Sequence, residues 1–451
     1  MGINNPREFA LRILNGYIKK SQSDDREDIF RGCRLDERDR AFVNNLVQGV
    51  FRQRLRLDWI IEQLSAFPLK KIDKEVLNVL RIALYQIFFM DRVPESAAVN
   101  ESVNLVRAAR MPRHVISFVN GLLRTACRQR GVLKFPDRER ERARYLSVYH
   151  SYPLWLADKW IRELGEDNAE ALMSAQNDFP GLNIRANSLR ISRDALIEIF
   201  LHDGINARPL AWSPQGIAVE GHRGRPDALD AFKKGLFQVQ DQAAQIASYL
   251  LSVRPGDRVL DICAGLGGKS SHLAELMAGR GQVIALDSDK VKLASLAENA
   301  DRLGINNILP VEGDAGRPLS SLFEYRFKRV ILDAPCSGLG VISRHPDIKW
   351  NRVKEDIPRL AATQEKFLNS AASVVEKGGK LLYVVCTISR EENEGVVEGF
   401  LKTNGDFSRV DLRKRAPEWC LDLIDDKGFY RTWPHIHKMD GFFAALFRKD
   451  D

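Results

Sequence analysis

The chain has 451 residues, 44% of them hydrophobic and 28% charged, a globular composition with length enough for two or three domains and a sizeable core. No apolar run approaches the ~18 residues of a membrane span, so membrane partners are not expected. A net charge of +8 and a pI of about 9.1 permit a polyanionic partner, and six cysteines, at 33, 127, 263, 336, 386 and 420, contain no CxxC pair, which argues against a disulfide framework and against zinc.

The N-terminal stretch MGINNPREFALRILNGYIKK mixes charges into a helical pattern and has no signal-peptide core, which predicts a cytoplasmic protein. Met1-Gly2 opens like a myristoylation site, but that motif needs Ser or Thr at position 6, where Pro6 stands. From there to about residue 128 apolar residues recur at helical spacing, as in DRAFVNNLVQGVFRQRLRLDWIIEQL and KEVLNVLRIALYQIFFM. A compact all-α domain over 1–135 is predicted. From Arg124 to Arg144 eight basic residues face three acidic ones, a run that serves either as a solvated linker or as an RNA-facing patch.

Residues 145–232 change character. SYPLWLADKWIREL is an aromatic-rich helix, GLNIRANSLR and GIAVEG read as short strands, and SRDALIEIFLHDG is a helix between them. This predicts a small α+β domain. From 233 to 451 strands and helices alternate, the mark of a doubly wound α/β sheet. The expected strands are 258–263, 282–287, 307–313, 329–333 and 380–386, with GFFAALFRK as a last one.

Ligands of such sheets bind off the carboxyl ends of the strands. The first strand runs into DICAGLGGKSSHLAELM, where glycines admit a ligand to the backbone and a helix N-terminus offers free N–H groups. A phosphate-binding P-loop needs a glycine where Cys263 stands, and a dinucleotide fingerprint needs one where Ser270 stands. An S-adenosylmethionine loop remains. It wants an acidic residue at the end of the next strand, and Asp287 fills that place. Asp314, after the third strand, could meet the adenine edge. The alternative for both aspartates is that they only cap the helices after them.

The fourth strand ends in DAPCSGLG and the fifth in YVVCTISREENEG. Cys336 and Cys386 thus end two strands beside the cofactor loop. A thiolate adding to carbon 6 of a pyrimidine makes carbon 5 nucleophilic, which is a reason to place thiols there. Ser389 and Glu392 stand at capping-box spacing before the next helix.

At these residues the chain resembles the RNA cytosine-5 methyltransferases. DAPCSGLG and VVCTISREEN look like their Pro-Cys and second-cysteine motifs, and DICAGLGGKS is similar to their cofactor loop, with Leu266 for the usual proline and Ser270 for the usual threonine. ISRHPDIKW and DGFFAALF also match. Residues 1–135 resemble the NusB antitermination fold, and SYPLWLADKW with FPGLNIRANSL resembles the family's middle RNA-binding domain. The resemblance implies a multidomain chain: a NusB-like all-α domain that binds RNA, a small α+β RNA-binding domain, and a Rossmann-like methyltransferase domain. It implies a 16S ribosomal RNA substrate, free or in an early small-subunit particle, and a monomer. Carried over, it makes Cys386 the nucleophile, gives Cys336 a part in product release, and sets Asp333 against the activated base. Cys263, Ala264, Gly265, Leu266, Gly267, Gly268 and Lys269, with Asp287, Asp314 and Asp333, would hold S-adenosylmethionine, and no metal is implied. Base chemistry also requires the cytosine to leave its stack. A DNA cytosine-5 methyltransferase, which attacks with the Pro-Cys thiol, has no reason to carry Cys386. An RNA-binding factor with an inactive catalytic domain has no reason to keep both thiols and the glycine loop.

Overall fold

The computed structural model describes residues 5–16, 33, 35–221 and 224–451; Met1 and Gly2 lie outside the described residues. The chain packs as two compact units. The first comprises Met1–Asn177 with His345–Asn351, and the second comprises Asp178–Arg344 with Arg352–Asp451.

The first unit is helical. Asn5 caps Pro6–Asn15 through its side chain, and Asp36 and Asp73 do the same for Glu37–Leu64 and Lys74–Phe89, each satisfying N–H groups that a helix start leaves open. Pro94 and Pro112 precede Glu95–Ala108 and Arg113–Arg128. The apolar faces of these five helices close one core, with Leu46, Leu57, Leu80, Leu84 and Leu123 at its centre. Three further helices, Arg142–Tyr149, Leu154–Leu164 and Glu166–Asn177, belong to the same unit. Half of the basic run is paired here. Arg138 and Arg142 both reach Glu170, at 2.9 and 2.7 Å, and Arg144 pairs with Glu141 and lies over the Trp59 ring. No helix among the described residues is long and apolar enough to cross a membrane.

The second unit holds two sheets. The smaller has the order β2-β3-β1-β4, from β1 (Leu182–Ala186), β2 (Asn206–Pro209), β3 (Gly216–Glu220) and β4 (Phe237–Val239), all antiparallel, with helix Arg193–His202 packed on it. The larger runs β10-β12-β9-β8-β5-β6-β7, from β5 (Arg258–Ile262), β6 (Gln282–Asp287), β7 (Ile308–Glu312), β8 (Phe327–Asp333), β9 (Val375–Val385), β10 (Phe407–Val410) and β12 (Phe443–Lys449), with β11 (Tyr430–Arg431) paired to β12. Strands β5 to β9 are parallel, whereas β10 to β12 run antiparallel to their neighbours. The parallel strands read as continuous apolar runs because both faces are covered, and Val330, Ile331 and Leu332 are fully buried. The last strand, expected simply to end the chain, inserts between β9 and β10.

Candidate active site

Three strand ends build the site. After β5 the chain turns through Cys263, Ala264, Gly265, Leu266 and Gly267 into helix Gly268–Leu276. Cys263, Gly265 and Gly267 all take left-handed backbone angles, with φ of 62°, 56° and 78°, conformations glycine adopts freely and cysteine does not. The loop is pinned from within. Ala264 N–H donates to Leu286 O at 3.0 Å, Gly267 N–H to Ala264 O at 3.0 Å, and Gly265 N–H to the Asp287 carboxylate at 2.8 Å. The other Asp287 oxygen accepts from Asp289 N–H at 2.9 Å, and it is Asp289 that caps the next helix. Asp314 is exposed and closes its own turn by accepting from Gly316 N–H at 2.8 Å.

Charges concentrate under this loop. Asp261 is wholly buried; Ser270 Oγ donates to one of its oxygens at 2.6 Å and the other has no hydrogen-bond partner. Burial pushes its carboxyl up to about 7. Lys269, also buried, donates to Asp333 at the end of β8 at 2.6 Å. Burial alone would lower the Lys269 ammonium, but Asp333, with Asp261 and Cys386 nearby, holds it above its ordinary value. Burial likewise pushes the Cys263 thiol up.

Strands β8 and β9 are neighbours, and their last paired residues are Asp333 and Val384. Beyond that point Cys336 Sγ and Cys386 Sγ meet at 3.3 Å. The hydrogen bond to Cys386, and then burial, push the Cys336 thiol well above its ordinary range. Gly340 N–H donates to Cys386 O at 3.1 Å and Gly340 O accepts from Gly441 N–H at 2.8 Å. A Cβ on Gly340 would lie 1.8 Å from Gly441 O, so the glycine-rich turn after Cys336 is a close backbone approach. Arg344 fastens the same turn, reaching Asp241 at 2.7 Å and Asp440 at 2.8 Å.

The comparisons with known proteins follow this layout. Residues 248–448 match the 16S rRNA methyltransferase RsmB/F model, residues 4–128 the NusB family, and residues 152–224 the RsmF/B-like ferredoxin-like domain. The chain is 34% identical over 416 residues to the probable ribosomal RNA small subunit methyltransferase B of Synechocystis sp., covering 92% of each chain. It is 35% identical over 416 residues to ribosomal RNA small subunit methyltransferase B of Pseudomonas putida, covering 91% of this chain and 92% of that one.

The chain belongs to the RsmB/F family of 16S rRNA methyltransferases.

Its fold is similar to the crystal structure of PH0851, with a TM-score of 0.81, 27% identity and full coverage of both chains. The small sheet is the ferredoxin-like domain of the RsmB/F layout. Within that layout several residues of the site were not legible in the sequence. Arg185 on β1 is wholly buried and donates to Gly268 O at 3.0 Å, Ser271 Oγ at 3.0 Å and Glu275 at 2.7 Å, so the small sheet grips the helix that follows the glycine loop. A lone arginine in a short strand carries no signal of this. The sequence spacing makes Glu392 the partner of Ser389 in a capping box, and that box does not form. Ser389 Oγ donates to Glu391 instead, residues Glu391–Gly395 make a π-turn ahead of helix Val396–Thr403, and the Glu392 carboxylate turns inward. The visible sign was Gln364, a polar residue at a core-facing position of helix Asp356–Ala372, which meets Glu392 at 2.9 Å.

Proposed function

We propose that the chain transfers a methyl group from S-adenosylmethionine to carbon 5 of a cytosine in 16S ribosomal RNA through a covalent adduct at carbon 6. The observation that carries this reading is the pair of thiols 3.3 Å apart at the ends of neighbouring strands, beside a glycine loop and an acidic strand end. The residues present fit the methyl donor. The loop is open at Gly265, where a Cβ would meet nothing within 4 Å, and Asp261 turns an unpartnered buried oxygen beneath it. Residues Cys263 to Lys269 with Asp287, Asp314 and Asp333 would hold the cofactor, Asp287 at the ribose. When bound, it would supply the methyl group, its sulfonium leaving as a neutral thioether.

The rest is the work of side chains. Cys386 adds as a thiolate to carbon 6 and makes carbon 5 electron-rich. Cys336, whose thiol proton is held by the hydrogen bond to the sulfur beside it and by burial, is the poorer nucleophile. Asp333 would meet the ring at N3 through a proton shared between them, while Lys269 pairs with its other oxygen. Once the Cys386 sulfur is bonded to carbon it no longer pairs with the Cys336 thiol. Cys336, after giving its own proton to water, takes the carbon 5 proton, or orients a bound water that takes it; the C5–H electron pair re-forms the C5–C6 double bond and the C6–S bond breaks to return Cys386 as a thiolate. The substrate would be the free RNA or an early small-subunit particle, in either of which the target cytosine must leave its stack, and the chain would act as a monomer.

The two thiols should therefore fail differently. Cys336→Ala should attack, methylate and stall, accumulating a protein–RNA adduct that survives denaturing electrophoresis. Cys386→Ala should lose turnover and form none. An adduct from Cys386→Ala and none from Cys336→Ala would reverse the assignment.

A further inference from the structure

A second polar cluster lies directly behind the thiols. Glu392 is fully buried. One of its oxygens accepts from Ser337 N–H at 2.8 Å and from Gln364 Nε2 at 2.9 Å; the other accepts from Ser337 Oγ and, at 3.2 Å, from Thr387 Oγ1. The two hydroxyls are themselves 2.8 Å apart. Ser337 directly follows Cys336, and Thr387 directly follows Cys386. Gln364 extends the hold, donating to Pro335 O at 3.0 Å on the other side of Cys336.

This cluster does what the sheet cannot. The ladder between β8 and β9 ends at Asp333 and Val384, and both thiols lie beyond it. Strand pairing brings two strand ends to within ~5 Å, and beyond it backbone bonds tie the turns at Ala334 N–H to Val384 O and at Gly340 N–H to Cys386 O, leaving freedom at the residues between. A single carboxylate tied to the residue after each thiol removes that freedom. Four donors converge on two oxygens, and only an acceptor-only group serves all four without turning a donor against a donor. We propose that Glu392 is a positioning residue that holds the Cys336 and Cys386 thiols at reacting distance, acting through Ser337 and Thr387. The inference rests on the two-thiol reading above.

Phenylarsine oxide tests the spacing without RNA or methyl transfer. It condenses with two thiols, forming two As–S bonds while its oxygen leaves as water with both thiol protons. The full-length wild type should chelate it tightly. Cys336→Ala should bind it about 10²-fold less tightly, the low end of the gain from linking two sites. Glu392→Ala should also lose chelation, and Glu392→Gln should recover part of it, because its amide can face the two hydroxyls, which rotate to accept. Both Glu392 variants should bind S-adenosylmethionine as the wild type does, which reports an intact fold. In Glu392→Ala kcat should fall by up to ~10²-fold, the cost of an ångström-scale misplacement, at unchanged KM for RNA. Wild-type chelation by a Glu392→Ala protein that binds S-adenosylmethionine normally would overturn the positioning role and leave the two-thiol reading standing. Equal chelation by wild type and Cys336→Ala would overturn the thiol pair itself. Should Glu392→Ala not fold, Ser337→Ala and Thr387→Val, which keep the carboxylate, carry the same test, and wild-type chelation by both together would overturn the role.

Discussion

Asp261 stores a pH dependence in a single carboxyl. Burial keeps its proton on to about pH 7 in the folded chain, against 3.8 for the ordinary carboxyl. Between those values the folded state binds more protons than the unfolded one, so this group's contribution to stability is full below about pH 4 and is lost as the pH rises through about 7. Asp261→Asn should flatten that decline, read as the denaturant midpoint followed across the same interval; a decline as steep as the wild type's would assign it to other groups. Asp287 is a second point of leverage, since its carboxylate both pins Gly265 and faces the loop. Asp287→Ala should weaken S-adenosylmethionine binding by ~1.5–3 kcal/mol, the scale of a lost hydrogen bond to a charged group, and equal calorimetric affinities would sink the assignment. The thiols and the loop were legible in the sequence because each breaks the expectation of its place: a cysteine after a buried strand, a run of glycines before a helix. Glu392 was not, because an acidic residue near a helix start has an ordinary use, and its inward turn depends on Gln364, twenty-eight positions away.

At the scale of elements, β1 and helix Gly268–Leu276 are joined by the Arg185–Glu275 ion pair, in which neither side chain is exposed. Breaking such a pair leaves an uncompensated buried charge and costs ~3–5 kcal/mol, whereas replacing both members by apolar groups is often neutral or stabilising. Arg185→Ala should lower the unfolding free energy by about that amount, and Arg185→Met with Glu275→Leu should recover most of it in a chemical-denaturation experiment. No recovery would mean that the bonds from Arg185 to Gly268 and Ser271 carry the stability. The parallel strands were legible from their apolar runs, and β6 was read with its bounds intact. The short strands β2, β10 and β11 were not, because Asn206–Pro209 is mostly exposed and a two-residue strand such as β11 has no period to detect. Strand β9 starts at Val375 rather than 380; the stretch IPRLAATQEKFLNSAASVVEKGG reads as one helix, whereas the helix ends at Ala372.

For the whole molecule, the net charge of +8 predicts RNA affinity that falls with salt, as basic side chains displace counterions from phosphates. The basic run contributes less to that than its composition suggests, since Arg138, Arg142 and Arg144 are already matched with carboxylates. Among the described residues Arg140, which lies between them, makes no ion pair. Arg140→Ala should reduce the slope of log K against log salt by no more than about 0.9, one phosphate contact. A larger change would place a wider part of the run on the RNA, and an unchanged slope would leave it a connector.

The segment His345–Asn351 packs with the helical unit although Arg344 and Arg352, on either side of it, belong to the other. Its Lys349 ammonium is buried, donating to Arg52 O, Ser151 O and Asn177 Oδ1, each at 2.9 Å, and Trp350 Nε1 donates to Phe51 O at 2.6 Å. These seats are carved from residues before 178. The helical unit therefore does not end at Asn177 in the chain. Removing the residues before 178 would leave the Lys349 ammonium and the Trp350 indole without these partners, a few residues from the turn that carries Cys336, so a shortened chain would have to change ISRHPDIKW as well.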